Sequence, residues 1–470
     1  MKWNSFLFLS VLGSLPFNSA GQQTTTSSSA SPTSSNSSLV PSSASLSAPP
    51  TRSHPRSLPH TSFSGTPTVT GALTASSIGS GISRGSVAPA ATTYPSDGNL
   101  HNAEPAPYYP AGGVGTNGSI PVYNVKSDFD YESLALALYQ EWTELDLFQD
   151  GLRRFSEEDF KSAGLTSADR DLIAFMAQQE VGHATMLSNI LGAEAPQQCA
   201  YVYPYTTVAE FIDFCQKLTR FGESGVYGFL AHLDSREAAT LLTQSITTEA
   251  RQQMIFRQFE GLFPMPVWFE VGVPQSWAWT LLAPYISSCP SDQTRLVWQN
   301  FPSLTILNQP SLATAGRNSS AVNNTLGAGT NVVKNSNSSR SNFNSDCGAP
   351  AVSENYTPLS FPGRRVALQW ETPGKPVGPN NSYVTSTQAS SARYVAWVSQ
   401  LNVTYTTLRT GGNSTRGYTI QPDLETYQGN PAINGTVFIA ITDSNPVLTP
   451  FNLSLINPHV VAGPALYQAG

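Results

Sequence analysis

The chain has 470 residues, room for more than one folded unit, and carries 24 Lys and Arg against 31 Asp and Glu for a formal net charge of −7. A mild acidic excess without any basic cluster argues against nucleic acid or an anionic membrane as a partner. The four cysteines fit no zinc-site spacing, so they read as disulfide partners.

Met1 and Lys2, the apolar run Phe6 to Leu12 and small residues ending near Ala20 read as a signal peptide over 1–20, too short to span a bilayer. No later stretch is long and apolar enough for a membrane span, and 460–470 lacks the hydrophobic tail of a lipid-anchor signal. The expectation is a soluble secreted protein, extracellular or in the cell wall. From Gln22 to Thr93, Ser, Thr, Pro and Ala dominate. Such a stretch buries too little apolar surface to offset its ordering entropy, so it reads as a disordered stalk suited to O-glycosylation. An extended transition segment, Tyr94 to Val125, completes the N-terminal region 21–125.

Helices are expected across 126–290. Ser127 or Asp128 caps the first, in which Tyr131, Leu134, Leu138, Glu141, Leu145, Phe148 and Leu152 recur every three or four residues. Ser156 with Asp159 opens a short helix ended by Gly164. Thr166 with Asp169 opens the second long helix, whose seam is Leu172, Met176, Glu180, His183, Leu187 and Leu191, with Gly192 as its stop. Thr207 with Glu210 caps the third, whose seam runs Val208, Phe211, Cys215, Leu218, Gly222, Gly225 and Phe229. Asp234 with Glu237 caps the fourth, with Leu242, Ser245, Glu249, Gln252 and Phe256 on one face and an end at Gly261. A short helix around Trp277 to Ile286 follows. Met176, Met186 and Met254 read as core filler, His232 as a helix-end histidine, and Trp268, Trp277 and Trp279 as a packing cluster.

Beyond the helices, 291–350 reads as a glycosylated low-complexity linker and 351–470 as a β-rich module. Its strand-like runs are Val366 to Glu371, Tyr394 to Leu408, Thr436 to Thr442 and Phe451 to Ile456. N-glycosylation acceptors stand at Asn117, Asn318, Asn323, Asn337, Asn355, Asn380, Asn402, Asn413, Asn434 and Asn452, with another at Asn36. In an exported protein Cys199, Cys215, Cys289 and Cys347 imply two disulfides; sequence does not choose among the three pairings, and Cys289–Cys347 is favoured as a tie across the linker.

Three of the long helices place a carboxylate on an apolar face, which is costly unless the group is paired or bound to a cation. Glu180 and His183 lie on adjacent rungs of one face, Glu141 faces inward from the first helix with Glu144 as a substitute, and Glu249 mirrors Glu180 from the fourth. Carboxylate oxygen with imidazole suits iron or manganese ahead of zinc. No nucleophile elbow, phosphate-binding glycine loop or dinucleotide fingerprint is present.

The segments LALYQEWTELDLFQDGL from Leu136, QQEVGHATML from Gln178 and SITTEARQQ from Ser245 resemble the ferritin-like domain of fungal secreted proteins, the late sexual development and stress-response ferritin-like family. The likeness covers about Asp128 to Ile286 and continues less sharply to FPSLTILNQP at Phe301 to Pro310. It implies an α+β multidomain chain: a ferritin-like antiparallel four-helix bundle followed by a small β-sandwich. It matches Glu141 to the family's first-helix glutamate, Phe148 to the aromatic seven residues on, and Glu180 with His183 to the second-helix Glu-x-x-His. Two positions depart from the pattern. Gln252 stands where metal-binding relatives carry histidine, and the third helix offers only Glu223, one residue off its seam.

Two functions remain open on these residues. One is a secreted or wall-associated glycoprotein acting in development or stress response, its acids forming an empty hydrogen-bonded network with Arg251 or tyrosines. The other is iron or manganese binding, with storage or oxidase-type activity, at Glu141, Glu144, Glu180, His183, Glu249 and Gln252. A cell-wall polysaccharide or another protein chain is the expected partner.

Overall fold

The computed structural model describes residues 97, 100, 101, 124–293, 295–311, 358–411, 414–426 and 435–470. The expected signal peptide, most of the stalk, Cys347 and the acceptors Asn36, Asn117, Asn318, Asn323, Asn337, Asn355, Asn413 and Asn434 lie outside the described residues.

Four long helices, α1 (Asp128–Arg154), α3 (Ser167–Leu191), α4 (Val208–Leu230) and α5 (Arg236–Phe259), pack side by side, with the short α2 (Glu157–Ser162) leading into α3. Their starts follow the sequence signals. Ser127 accepts from the Asp130 amide, and reciprocal capping boxes join Ser156 to Asp159, Thr166 to Asp169 and Thr207 to Glu210. The α5 start differs from expectation: Ser235, not Asp234, is the cap. The amides of Asp234 and Ser235 both donate to the buried Asp130 carboxylate, and Glu237 reaches Lys126 instead of closing a box. One acid near the start of α1 thereby anchors the start of α5.

Near the α1 end the Leu152 carbonyl accepts from Arg170, while earlier on α1 Glu141 meets His183, so α3 runs back along α1. The α3 seam begins at buried Ile173 and not at Leu172, which is 37% exposed. Gly228 of α4 lies against the Val273 carbonyl, a contact with no room for a Cβ, and the Val273 amide donates to Ser224. α6 (Gln275–Leu282) follows, and its Trp277 and Trp279 are fully buried; Trp268 is 51% exposed and does not belong to that cluster.

Strand β1 (Ala200–Tyr201) pairs with β2 (Ile286–Ser288) beside the Cys199–Cys289 disulfide. This pairing corrects the expected Cys289–Cys347 link. Cys215, expected in a second disulfide, is a free buried thiol because its seam position points it into the apolar core.

Two antiparallel four-stranded sheets follow. The first has the order β3-β4-β10-β9, from β3 (Leu304–Ile306), β4 (Arg365–Trp370), β9 (Arg409–Thr410) and β10 (Arg416–Ile420). The second has the order β12-β11-β7-β8, from β7 (Tyr394–Ser399), β8 (Asn402–Thr407), β11 (Thr436–Thr442) and β12 (Val460–Gln468). A small pair, β5 (Pro376–Val377) and β6 (Tyr383–Val384), lies apart. The expected run Tyr394 to Leu408 is a hairpin folded at Gln400, whose φ of 50° sits in the left-handed region. Phe451 to Ile456 is not a strand: Asn452 folds back onto Thr449 and a 3₁₀ helix spans Leu453–His459. The strand lies beyond it, at β12.

The central strands are buried on both faces. From β7, Val395 and Trp397 join Val366 and Leu368 of the first sheet in one apolar cluster, while Ala396 and Val398 join the helical core. β11 divides in the same way, with Ile439 in the first cluster and Phe438 and Ala440 in the second. The second sheet thus lies between the helices and the first sheet.

Candidate metal centre

Glu141 from α1, Glu180 and His183 from α3 and Glu249 from α5 are all buried, and one ligand-capable atom of each lies within 4.8 Å of the other three. Among the described residues this is the one Cys/His/acid group of that kind. His183 Nδ1 stands 3.0 Å from Glu180 Oε2, 3.2 Å from Glu141 Oε2 and 3.6 Å from Glu249 Oε1. A single imidazole nitrogen therefore faces carboxylates from three helices.

The other ring nitrogen settles which atom is available. His183 Nε2 is 3.0 Å from Thr248 Oγ1, and that hydroxyl donates its own proton to the Ser245 carbonyl at 2.7 Å. A hydroxyl whose proton is committed offers only lone pairs, so Nε2 carries the hydrogen. In the neutral ring, Nδ1 is then the free donor atom aimed at the carboxylates.

Charge crowding is severe. Two carboxylates about 4 Å apart repel by about 4 kcal/mol at an effective dielectric near 20. Burial, followed by the Glu180 charge, pushes the Glu141 carboxyl well above its usual range; burial and the charges of Glu141 and Glu144 do the same to Glu249. Burial depresses His183, but its hydrogen bond to Glu180 and the charges of Glu180, Glu249 and Glu144 outweigh it and lift the imidazole to about 9.

Glu144 is buried next to this group, its pKa also raised by burial and by Glu180. Gln140 donates to its Oε1 at 2.8 Å, and its Oε2 has no hydrogen-bond partner. Gln252 lies in the core: its Nε2 donates to Glu180 Oε1 at 2.5 Å and reaches Gln179 at 3.2 Å, while its Oε1 has no partner. Glu223 is fully buried, accepts from Tyr227 at 3.0 Å and faces Arg220 at 3.2 Å, apart from the four-residue group. Arg251 is exposed and takes no part, and His232 is exposed beyond the end of α4.

Phe148 and Phe256 each stand seven residues beyond an acid of the site, and their rings meet at 5.6 Å. Because the acids also meet, α1 and α5 pass the site in the same direction. Sequence reasoning missed Thr248 and Gln140. Thr248 neighbours Glu249 on α5 but lies off the seam, and only the path of α3 places it beside the imidazole.

A model of the ferritin-like domain family matches residues 128–262. Protein rds1 of the fission yeast Schizosaccharomyces pombe is 52% identical over 369 residues, covering 78% of this chain and 87% of that protein.

Proposed function

This chain belongs to the fungal ferritin-like family that includes protein rds1, and from that premise we propose that its buried centre binds one iron or manganese ion. The observation carrying this reading is the convergence of three carboxylates and one imidazole within 4.8 Å in a buried core. The donor set fits: hard carboxylate oxygens with one imidazole suit these ions, with zinc a poorer match. The orientation of His183 by Thr248 leaves Nδ1 as donor, and the unpartnered Oε2 of Glu144 adds a carboxylate beside the site. The residues fit one ion better than two, because Glu223 is held by Tyr227 and Arg220, and Gln252 is bonded to Glu180.

An ion held there would bring one-electron redox chemistry. The protein's own part is charge from Glu141, Glu180 and Glu249, orientation by Thr248, and burial of the three acids and His183 in the core, which limits water at the site. In the same reading the four long helices form an antiparallel four-helix bundle and the two sheets a sandwich. The protein is exported, glycosylated and wall-associated, and acts in development or stress response with a wall polysaccharide or another chain as partner. The apolar N-terminal run, the acceptor sites and the exposed Asn380 support that placement.

Anaerobic titration of metal-stripped full-length protein with Fe(II) or Mn(II) tests the metal reading. One ion per chain is expected, with binding lost in Glu180→Ala. No binding by the unaltered chain, or equal binding by the variant, leaves the empty hydrogen-bonded network as the correct account.

A further inference from the structure

Closely packed layers leave seams the size of a water, and two cavities in the protein hold about 30 and about 10 Å³. A third is far larger, an open cleft of about 640 Å³, within the range of small-molecule sites. It lies between the end of α6, the edge strands β3 and β12, and the β5–β6 pair. Asn300 stands in its wall and is 2% exposed. Its Nδ2 donates to the Trp279 carbonyl at 3.1 Å, which fixes the amide's orientation. Oδ1 is then left without a hydrogen-bond partner among the described residues. A buried acceptor left unpaired is costly, so a ligand that brings a donor to it is favoured. The Thr385 hydroxyl accepts from the Lys375 amide at 3.0 Å and keeps its own proton to give. Charges around the cleft are already balanced, Lys375 by Glu371 and Lys217 by Asp213, so an ionic ligand gains little there. Pro284, Pro376 and Pro464 add rigid apolar surface. The complement of such a wall is an uncharged molecule with hydroxyls along its edges and carbon–hydrogen faces between them.

We propose that this cleft binds a short neutral saccharide. One sugar hydroxyl donates to Asn300 Oδ1, another accepts from Thr385, and the sugar's apolar faces lie on the prolines. At the outer end, the exposed Lys375 and its partner Glu371 offer a donor and an acceptor side by side, which suits neighbouring hydroxyls on one ring. The site rests on the reading of a wall polysaccharide as partner and gives that partner a place on the chain. It shares no residue with the metal centre.

Calorimetric titration of the full-length protein with laminaribiose, cellobiose and N,N′-diacetylchitobiose tests the site, with glucose 6-phosphate as a charged comparison. At least one neutral disaccharide should bind once per chain. Binding should weaken about tenfold in Glu371→Ala, which removes a charged acceptor. It should vanish in Ser303→Trp, where an indole is added at an exposed position on the rim, and persist in Trp268→Ala. Glu371→Ala carries the test if Ser303→Trp does not fold. No binding of any disaccharide, binding undisturbed by both cleft variants, or binding of the phosphate alone would overturn the proposal. Co-sedimentation with insoluble β-glucan and chitin separates the two readings. Retention without disaccharide binding overturns the cleft and keeps wall association; disaccharide binding without retention does the reverse.

Discussion

Thr248 is a side chain whose importance rests on one hydrogen-bond direction. Its hydroxyl is spent on Ser245, so it can only accept from His183, and that fixes the ring's tautomer. Thr248→Val keeps the shape and removes the acceptor; Mn(II) affinity should weaken about tenfold or more with unchanged helicity, read by calorimetry and circular dichroism. The raised carboxyls of Glu141 and Glu249, with His183 lifted to about 9, set a pH dependence. Protonation of these groups favours the folded metal-free protein. That contribution is whole below their ordinary values of 4.5 and 6.5 and fades as pH climbs through the raised ones. A bound cation replaces the protons, so the Tm gain from Mn(II) should be larger at about pH 8 than at about pH 5. An equal gain at both would show that these groups do not compete with the ion. Glu141, Glu180, His183 and Glu249 were legible in the sequence because an acid on an apolar helix face is costly without a partner. Thr248 was not, since its role depends on the neighbouring helix.

Helix starts were legible for the same local reason: a cap and its box lie within four residues. Ser235 escaped because its geometry depends on Asp130, 105 residues earlier in the chain. Strands were harder. Phe451 to Ile456 has strand composition, but Asn452 turning back on Thr449 wins locally, and β12 gains its place by pairing with β11. The close approach of α4 to the segment at Val273 was equally invisible, since a glycine inside a helix reads as a weakness. Gly228→Ala drives a methyl group into the Val273 carbonyl and should cost about 2–3 kcal/mol. The denaturation midpoint should fall at constant slope, and a shift within error would mean that the segment moves aside freely.

For the molecule as a whole, the helices and the second sheet share one apolar core, so β7 and β11 serve two sets of neighbours at once. Periodicity within a segment reveals that a strand is buried on both faces but not which partners bury it. The Cys199–Cys289 bond closes a 90-residue separation spanning α4, α5 and α6. Cys199→Ser should lower stability by about 4.6 kcal/mol on loop entropy. Peptide mapping should find the Cys199–Cys289 link, with Cys215 unreactive toward alkylation until the chain unfolds. A reactive Cys215 in the native protein would contradict its place in the core. The reading of the core as a single-ion site is tested most directly by anomalous diffraction from crystals of the full chain grown with Mn(II). One manganese peak should appear within about 2.3 Å of His183 Nδ1 and of oxygens from Glu141, Glu180 and Glu249. A map without manganese among those four side chains would contradict it.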